Sequence, residues 1–189
     1  MTPADHELAT RIRAALPRQP VRVALSGLDG VGKSTQAAML ADALGLPVVR
    51  VPDRDRVAAL AARDAAKAGV MHPQLAALHE QLIEAPASAI LDRGPLCVAS
   101  IHPEMASLSR LLARSQYVTT LFLDLPLAEA RARKVDPEAE LRDREAEARR
   151  YRELAARWPQ TVVIDASQPP EAVLSAALAA VARAVGVAT

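Results

Sequence analysis

The chain has 189 residues, 51% hydrophobic and 24% charged, with a formal net charge of +1. That balance excludes a disordered chain, and the near-neutral total argues against the broad basic footprint of a nucleic-acid binder. No run reaches the roughly 18 apolar residues of a membrane span. The nearest, Ala172 to Val187, is interrupted by Ser175 and Arg183. Met1 to Leu16 carries Asp5, His6, Glu7, Arg11 and Arg13 and so lacks the apolar core of a signal peptide. The single cysteine, Cys97, can form no intrachain disulfide, which fits a reducing compartment. A cytoplasmic protein without membrane or nucleic-acid partners is expected, folded as a single α/β domain over residues 1–189.

In chain order, Val21 to Leu25 is a short β-branched run bounded by Pro20 and Ser26-Gly27, and reads as a buried strand. Ser34 to Leu44 places apolar residues at helical spacing until Gly45 and Pro47 stop it. Pro47 to Val51 is a second strand. Asp55 to Ala68 and Pro73 to Glu84 are helices, and Ala87 to Leu91 is a third strand ending at Asp92-Arg93-Gly94. A helical region runs to about Arg114, followed by a fourth strand over Thr119 to Leu123. Leu127 to Lys134 and Pro137 to Trp158 are helical, Thr161 to Ile164 is the fifth strand, and Pro170 to Val185 is the closing helix. Alternating strands and helices predict a five-stranded parallel sheet covered on both faces. The stretch 131–150, dense in both charge signs, is either a solvated helix face or a lid over a phosphate site.

Gly27-Leu28-Asp29-Gly30-Val31-Gly32-Lys33-Ser34, followed by Thr35, satisfies G-x-x-x-x-G-K-[ST] between a strand and a helix. The glycines let the backbone curl so that successive N–H groups face a polyphosphate, and the helix N-terminus adds its partial positive charge. Lys33 is expected on the β- and γ-phosphates of ATP, and Ser34 on Mg²⁺. A carboxylate at a neighbouring strand end should complete the metal site: Asp92 is the better candidate and Asp124 its rival.

Around this P-loop the residues resemble the thymidylate kinase family. The similarity rests on Leu25 to Gln36, on Arg50-Val51-Pro52-Asp53-Arg54, on Asp92-Arg93, on Leu121 to Pro126, and on Tyr151 to Ala155 with Val163 to Ser167. It spans about residues 20–183. The resemblance implies a P-loop NTPase fold with a lid near residues 131–150. It also implies transfer of the ATP γ-phosphate to a nucleoside monophosphate, with dTMP the default acceptor. By resemblance, Arg54 and Arg93 hold the acceptor phosphate, and Arg93 also bridges toward the transferred group. Asp29 contacts the acceptor sugar or orients an arginine, and Asp165, Ala166 and Ser167 lie beside the adenine, mostly through backbone groups. Some members carry a catalytic arginine where this chain has Gly30. The lid is the alternative source, with Arg133 favoured, Arg131 second, and Lys134, Arg142 and Arg144 further in. A homodimer is also implied.

The base-reading positions depart from that pattern. An ungapped count back from Asp92-Arg93 puts Ala68 where the family has a stacking Phe and His72 where it has an Arg. His72 is kept as a substrate-binding candidate, with Gln74, His79 and Gln81 as gapped alternatives. Gly94 replaces an aromatic, and Cys97 and Ile101 stand where hydroxyl-bearing residues are expected. With one Phe, one Trp and two Tyr, the chain has few rings with which to stack a base. A nucleoside or other small-molecule kinase is the alternative reading.

Overall fold

The computed structural model describes residues 1–52, 54–64, 73–134 and 143–189. Five strands, β1 (Arg22–Ser26), β2 (Val48–Arg50), β3 (Ala89–Asp92), β4 (Val118–Asp124) and β5 (Thr161–Asp165), form one sheet in the order β2-β3-β1-β4-β5. Every pairing is parallel, so each connection crosses over through helices. These are α1 (Pro3–Ala15), α2 (Lys33–Leu44), α3 (Arg54–Asp64), α4 (Pro73–Glu84), α5 (Pro95–Ile101), α6 (Ala106–Ser115), α7 (Leu127–Arg133), α8 (Arg144–Ala155) and α9 (Pro170–Ala184).

The two-sided covering follows from strand alternation. Val23 and Leu25 of β1 and Ile90 of β3 pack in a core with Leu40 of α2, Ile12 of α1 and Leu178 of α9. Ala24, Ala89 and Leu91 pack in a second core with Leu75, Leu78 and Leu82 of α4 and Val98 of α5. The five strands and most helices lie within two residues of their expected spans. The C-terminal end of the helix expected over 55–68 and the N-terminal end of that expected over 137–158 fall outside the described residues, and the latter helix stops at Ala155, short of Trp158. Helix α1, outside the elements expected from the sequence, buries Ala9 and Ile12 at helical spacing and is started by a capping box: Asp5 N–H donates to Thr2 Oγ1 (3.2 Å) and Thr2 N–H to Asp5 Oδ2 (2.8 Å). No helix among the described residues is long and apolar enough to cross a membrane.

Because all strands run one way, their carboxyl ends share an edge. Ser26, Arg50, Asp92, Asp124 and Asp165 all end strands there, at the edge where open α/β sheets bind ligands.

Candidate active site

The loop after β1 closes on its neighbours through glycines that leave no room for a side chain. Gly27 has φ 141°, and a Cβ there would lie 2.6 Å from the Leu123 carbonyl oxygen of β4. Gly30 has φ 95°, and a Cβ would collide with the Ala130 carbonyl of α7. The helix that opens the charged stretch therefore rests directly on the loop. This is the steric reason that position 30 holds no arginine.

Lys33, 6% exposed, folds back into the loop: Nζ donates to the carbonyls of Gly27 (2.9 Å) and Leu28 (2.7 Å) and lies 3.7 Å from Asp29 Oδ1. Burial, aided by the nearby Arg93 charge, pulls its pKa below the ordinary lysine value, while Asp29 and Asp92 oppose the shift. A cation in that balance gains from an incoming polyphosphate.

Ser34 Oγ donates to Asp92 Oδ2 at 2.8 Å, joining the two expected metal ligands. The other carboxylate oxygen, Oδ1, is buried and has no hydrogen-bond partner. An orphaned carboxylate oxygen beside a hydroxyl fits a divalent cation that takes one carboxylate and leaves its remaining positions to water and phosphate. The rival Asp124 is instead ion-paired with Arg152 at 3.0 Å. Among the described residues no group of three or more His, Cys, Asp or Glu is placed to hold a metal.

On the other side of Asp29 opens a cavity of about 220 Å³, lined by Arg50, Arg54 and Arg93 together with Asp29, Pro52, Val57, Gln74, Cys97, Val98 and Ile101. Arg54, Arg93 and Asp29, chosen from the motifs, thus meet in one hollow with Gln74, Cys97 and Ile101. Gln81 donates to the Arg50 carbonyl (2.9 Å) and braces the rim from behind. Arg93 donates to Asp29 Oδ1 at 2.7 Å from a left-handed backbone with φ 84°, a conformation that costs a non-glycine residue about 1–3 kcal/mol and concentrates at functional sites. Gly94 follows because the chain passes close to β1: a Cβ there would sit 2.7 Å from Ala24 Cβ, so an aromatic cannot occupy that position. His72, Ala68 and Asp53 lie outside the described residues.

The described lid arginines Arg131, Arg133 and Arg144 reach different parts of the molecule. Arg131 pairs with Glu145 at 3.1 Å in an exposed contact. Arg133 donates to the Ala166 carbonyl at 2.9 Å, beside the turn in which Asp165 accepts from Ser167 N–H (2.9 Å) and Ser167 Oγ (2.6 Å). Arg144, 2% exposed, donates to the Asp29 carbonyl at 3.3 Å. Arg142 lies outside the described residues. The sequence reading leaves Arg144 among several lid arginines and gives Arg50 no role. Its signal is hydrophobic context: Arg144 shares the inward face of α8 with Glu147, Ala148 and Tyr151, all buried.

A larger cavity of about 720 Å³ lies at the opposite end of the sheet, beside Val21, Thr119 and Thr161. Its Arg22 is already committed to the carbonyls of Ala85, Pro86 and Gln116, and no motif residue reaches it. The hollow at the carboxyl edge, where the motif residues meet, is therefore the candidate site despite its smaller size.

A glycine-rich loop after the central strand, a lysine and serine at the start of its helix, and an acidic residue ending the adjacent strand define the P-loop kinase class of fold. The family model of the AAA domain matches residues 22–172, and the chain belongs to that family. Among solved structures, YorR of Bacillus subtilis in complex with phosphorylated GDP is similar with a TM-score of 0.64 and 15% identity, covering 84% of this chain and 94% of that one. A gluconokinase from Sinorhizobium meliloti 1021 gives 0.60 and 19%, covering 89% and 95%. The shikimate kinase of Aquifex aeolicus vf5 gives 0.59 and 20%, covering 88% and 99%. At these identities the likeness is one of fold. No curated protein matches the sequence. The matches reach the P-loop kinases as a class and do not single out thymidylate kinases.

Proposed function

We propose that this chain is an ATP-dependent kinase that moves the γ-phosphate to a small acceptor that is itself a phosphate ester. Nucleoside monophosphates, dTMP first, are the acceptor class implied by the thymidylate kinase resemblance. One observation carries the reading: Arg50, Arg54 and Arg93 converge on a hollow that shares Asp29 with the phosphate loop. Fixed cations there allow two anions to approach, which is most of what phosphoryl transfer asks of a protein.

In the proposed step an oxygen of the acceptor phosphate forms a bond to the γ-phosphorus as the bond from that phosphorus to the β–γ bridging oxygen breaks. ADP leaves with the electron pair, and the product is a diphosphate ester. Lys33 leaves its loop carbonyls for the β- and γ-oxygens. Arg93, held by Asp29, faces the acceptor phosphate and the transferred group. Magnesium, held by Ser34 and Asp92, would supply charge neutralisation on the β- and γ-oxygens. Arg133 and the turn at Ala166 and Ser167 border the place for the adenine. Of the described lid arginines, Arg144 hydrogen-bonds the loop at the Asp29 carbonyl and is the candidate for the transferred group; the assignment of Arg131 and Arg133 to catalysis has less geometric support.

A kinase for an unphosphorylated small molecule is a second reading, favoured by the Asp29 carboxylate in the hollow, which could accept a proton from an alcohol. The two separate in one assay: ATP labelled at the γ-position is incubated with Mg²⁺ and either monophosphates or unphosphorylated nucleosides and sugar acids, and the labelled product is identified by mass. The proposal predicts label on a monophosphate; label only on an alcohol supports the second reading. The homodimer implied by the resemblance is checked by light scattering of the eluting protein.

A further inference from the structure

The cavity of about 720 Å³ at the amino ends of the strands has no part in the proposed reaction, yet its size is that of a small-molecule site. Among the described residues three non-glycine residues hold a left-handed backbone. One is Arg93 of the acceptor hollow. The other two, Tyr117 and Gln160, both with φ 50°, line this cavity. Each stands where the chain turns into a strand, β4 or β5, a place where glycine or asparagine would carry no strain. Packing does not explain the choice, because Tyr117 is 75% exposed and Gln160 is exposed as well. Strain of this kind concentrates at functional sites.

The chemistry of the wall is that of an anion site with a single open clamp. Among the described residues it holds two arginines and no Asp or Glu. Arg22 has spent its donors on the carbonyls of Ala85, Pro86 and Gln116, so it contributes charge but no fork. Arg183, exposed in the last turn of α9, makes no side-chain hydrogen bond or ion pair. One open guanidinium matches the two oxygens of a carboxylate. A phosphoryl group would bring a further charged oxygen with no uncommitted cation to meet it. The side-chain amides of Gln19 and Gln160 are likewise uncommitted, and each presents a donor beside an acceptor. The Thr161 hydroxyl, also in the wall, is buried without a hydrogen-bond partner. The Tyr117 ring adds a flat apolar face.

We propose that this cavity is a second binding site, for a small planar heteroaromatic carboxylate. Arg183 takes the carboxylate, Tyr117 covers a face of the ring, and the amides of Gln19 and Gln160 pair with hydrogen-bonding groups on the ring edge. The Arg22 charge behind them disfavours cations. The site lies a full strand length from the phosphate loop, about 16 Å along β1, and does not depend on the kinase reading.

Calorimetric titration of the full chain, with Mg²⁺ and ADP present to occupy the phosphate loop, tests the site with nicotinate and orotate. Uracil lacks the charge, cyclohexanecarboxylate lacks the planar ring, and phenyl phosphate replaces the carboxylate. The expected result is one site per chain, a dissociation constant below about 1 mM for the ring carboxylates, and binding of each control weaker by about tenfold or more. Arg183→Gln should weaken the ring carboxylates by about tenfold or more. Tyr117→Ala should weaken them by about 2- to 13-fold, and Tyr117→Phe should keep wild-type affinity. Both side chains are exposed, so the melting temperature should hardly move in these variants. Arg54→Gln should have no effect, which separates this cavity from the acceptor hollow. Failure of both ring carboxylates to bind at about 10 mM, or equal affinity in Arg183→Gln, overturns the inference. Uracil or phenyl phosphate binding as tightly as the ring carboxylates overturns the ligand class.

Discussion

The two halves of the proposed active site are built by different means. On the donor side shape dominates: Gly27 and Gly30 are pressed against the backbones of Leu123 and Ala130, and Lys33 is held by two loop carbonyls. On the acceptor side charge dominates, with arginines from β2, α3 and the loop after β3 lining the hollow beside Asp29, and aliphatic walls between them. A shape-defined loop suits a ligand part common to every nucleotide triphosphate. A charge-defined hollow suits an anion and is tolerant of what the anion is attached to. The difference teaches that binding the donor and choosing the acceptor are separable properties here, joined physically at Asp29, which pairs with Lys33 on one side and Arg93 on the other.

The comparison breaks most visibly at Lys33. Lys33→Ala should lower phosphoryl transfer by about 10²- to 10³-fold through loss of charge at the developing transition state. Acceptor affinity in the presence of ADP should change little, as equilibrium titration would show. A parallel loss of acceptor binding would mean that the two halves are not separable.

A smaller, mechanical effect is expected at Gly30. Gly30→Ala forces a side chain against the Ala130 carbonyl from a left-handed backbone. The expected cost is about 1–3 kcal/mol, and a chain of this length loses about 2–4 °C of melting temperature for each kcal/mol. Thermal denaturation without ligand checks it; an unchanged midpoint would show that α7 yields freely.

The smallest effect should be at Arg131. Its contact with Glu145 is 41% and 59% exposed, and exposed pairs contribute about 0–1 kcal/mol. Arg131→Ala should therefore leave the melting temperature nearly unchanged and the transfer rate within about threefold of wild type. A drop in rate beyond tenfold at unchanged stability would give Arg131 the catalytic role that its position at the lid suggests.

The donor half was the legible one. The spacing of Gly27, Gly32, Lys33 and Ser34 between a strand and a helix carries its meaning locally, and Asp92 follows because a strand end next to the loop is a topological expectation. The β-strand runs were legible for a similar reason: buried parallel strands are short, apolar and bounded by Gly, Pro or Asp. The acceptor half depends on residues 29, 50, 54, 74, 93 and 101 meeting across four elements, and no local pattern encodes that meeting. Gly94 shows the limit well. Its missing aromatic looks like a lost contact in the sequence, whereas in the fold it marks close packing against Ala24 of β1. Arg144 ranked behind Arg133 and Arg131 in the sequence because a charged helix reads as solvated until its buried face is known. Helix α1 was legible in principle, through the cap at Thr2 and Asp5 and the stripe of Ala9, Ile12 and Leu16, but it lies before the first strand and outside the motif region.

The central claim is γ-phosphate transfer onto a phosphorylated acceptor, and a single-turnover measurement tests it most directly. ATP labelled at the γ-position, Mg²⁺ and excess enzyme are mixed with nucleoside monophosphates, dTMP first, and the products are resolved by mass. The account predicts a labelled diphosphate ester, lost in Lys33→Ala and regained by raised acceptor concentration in Arg54→Gln. Label that appears only in inorganic phosphate, at the same rate with and without the esters, would contradict it.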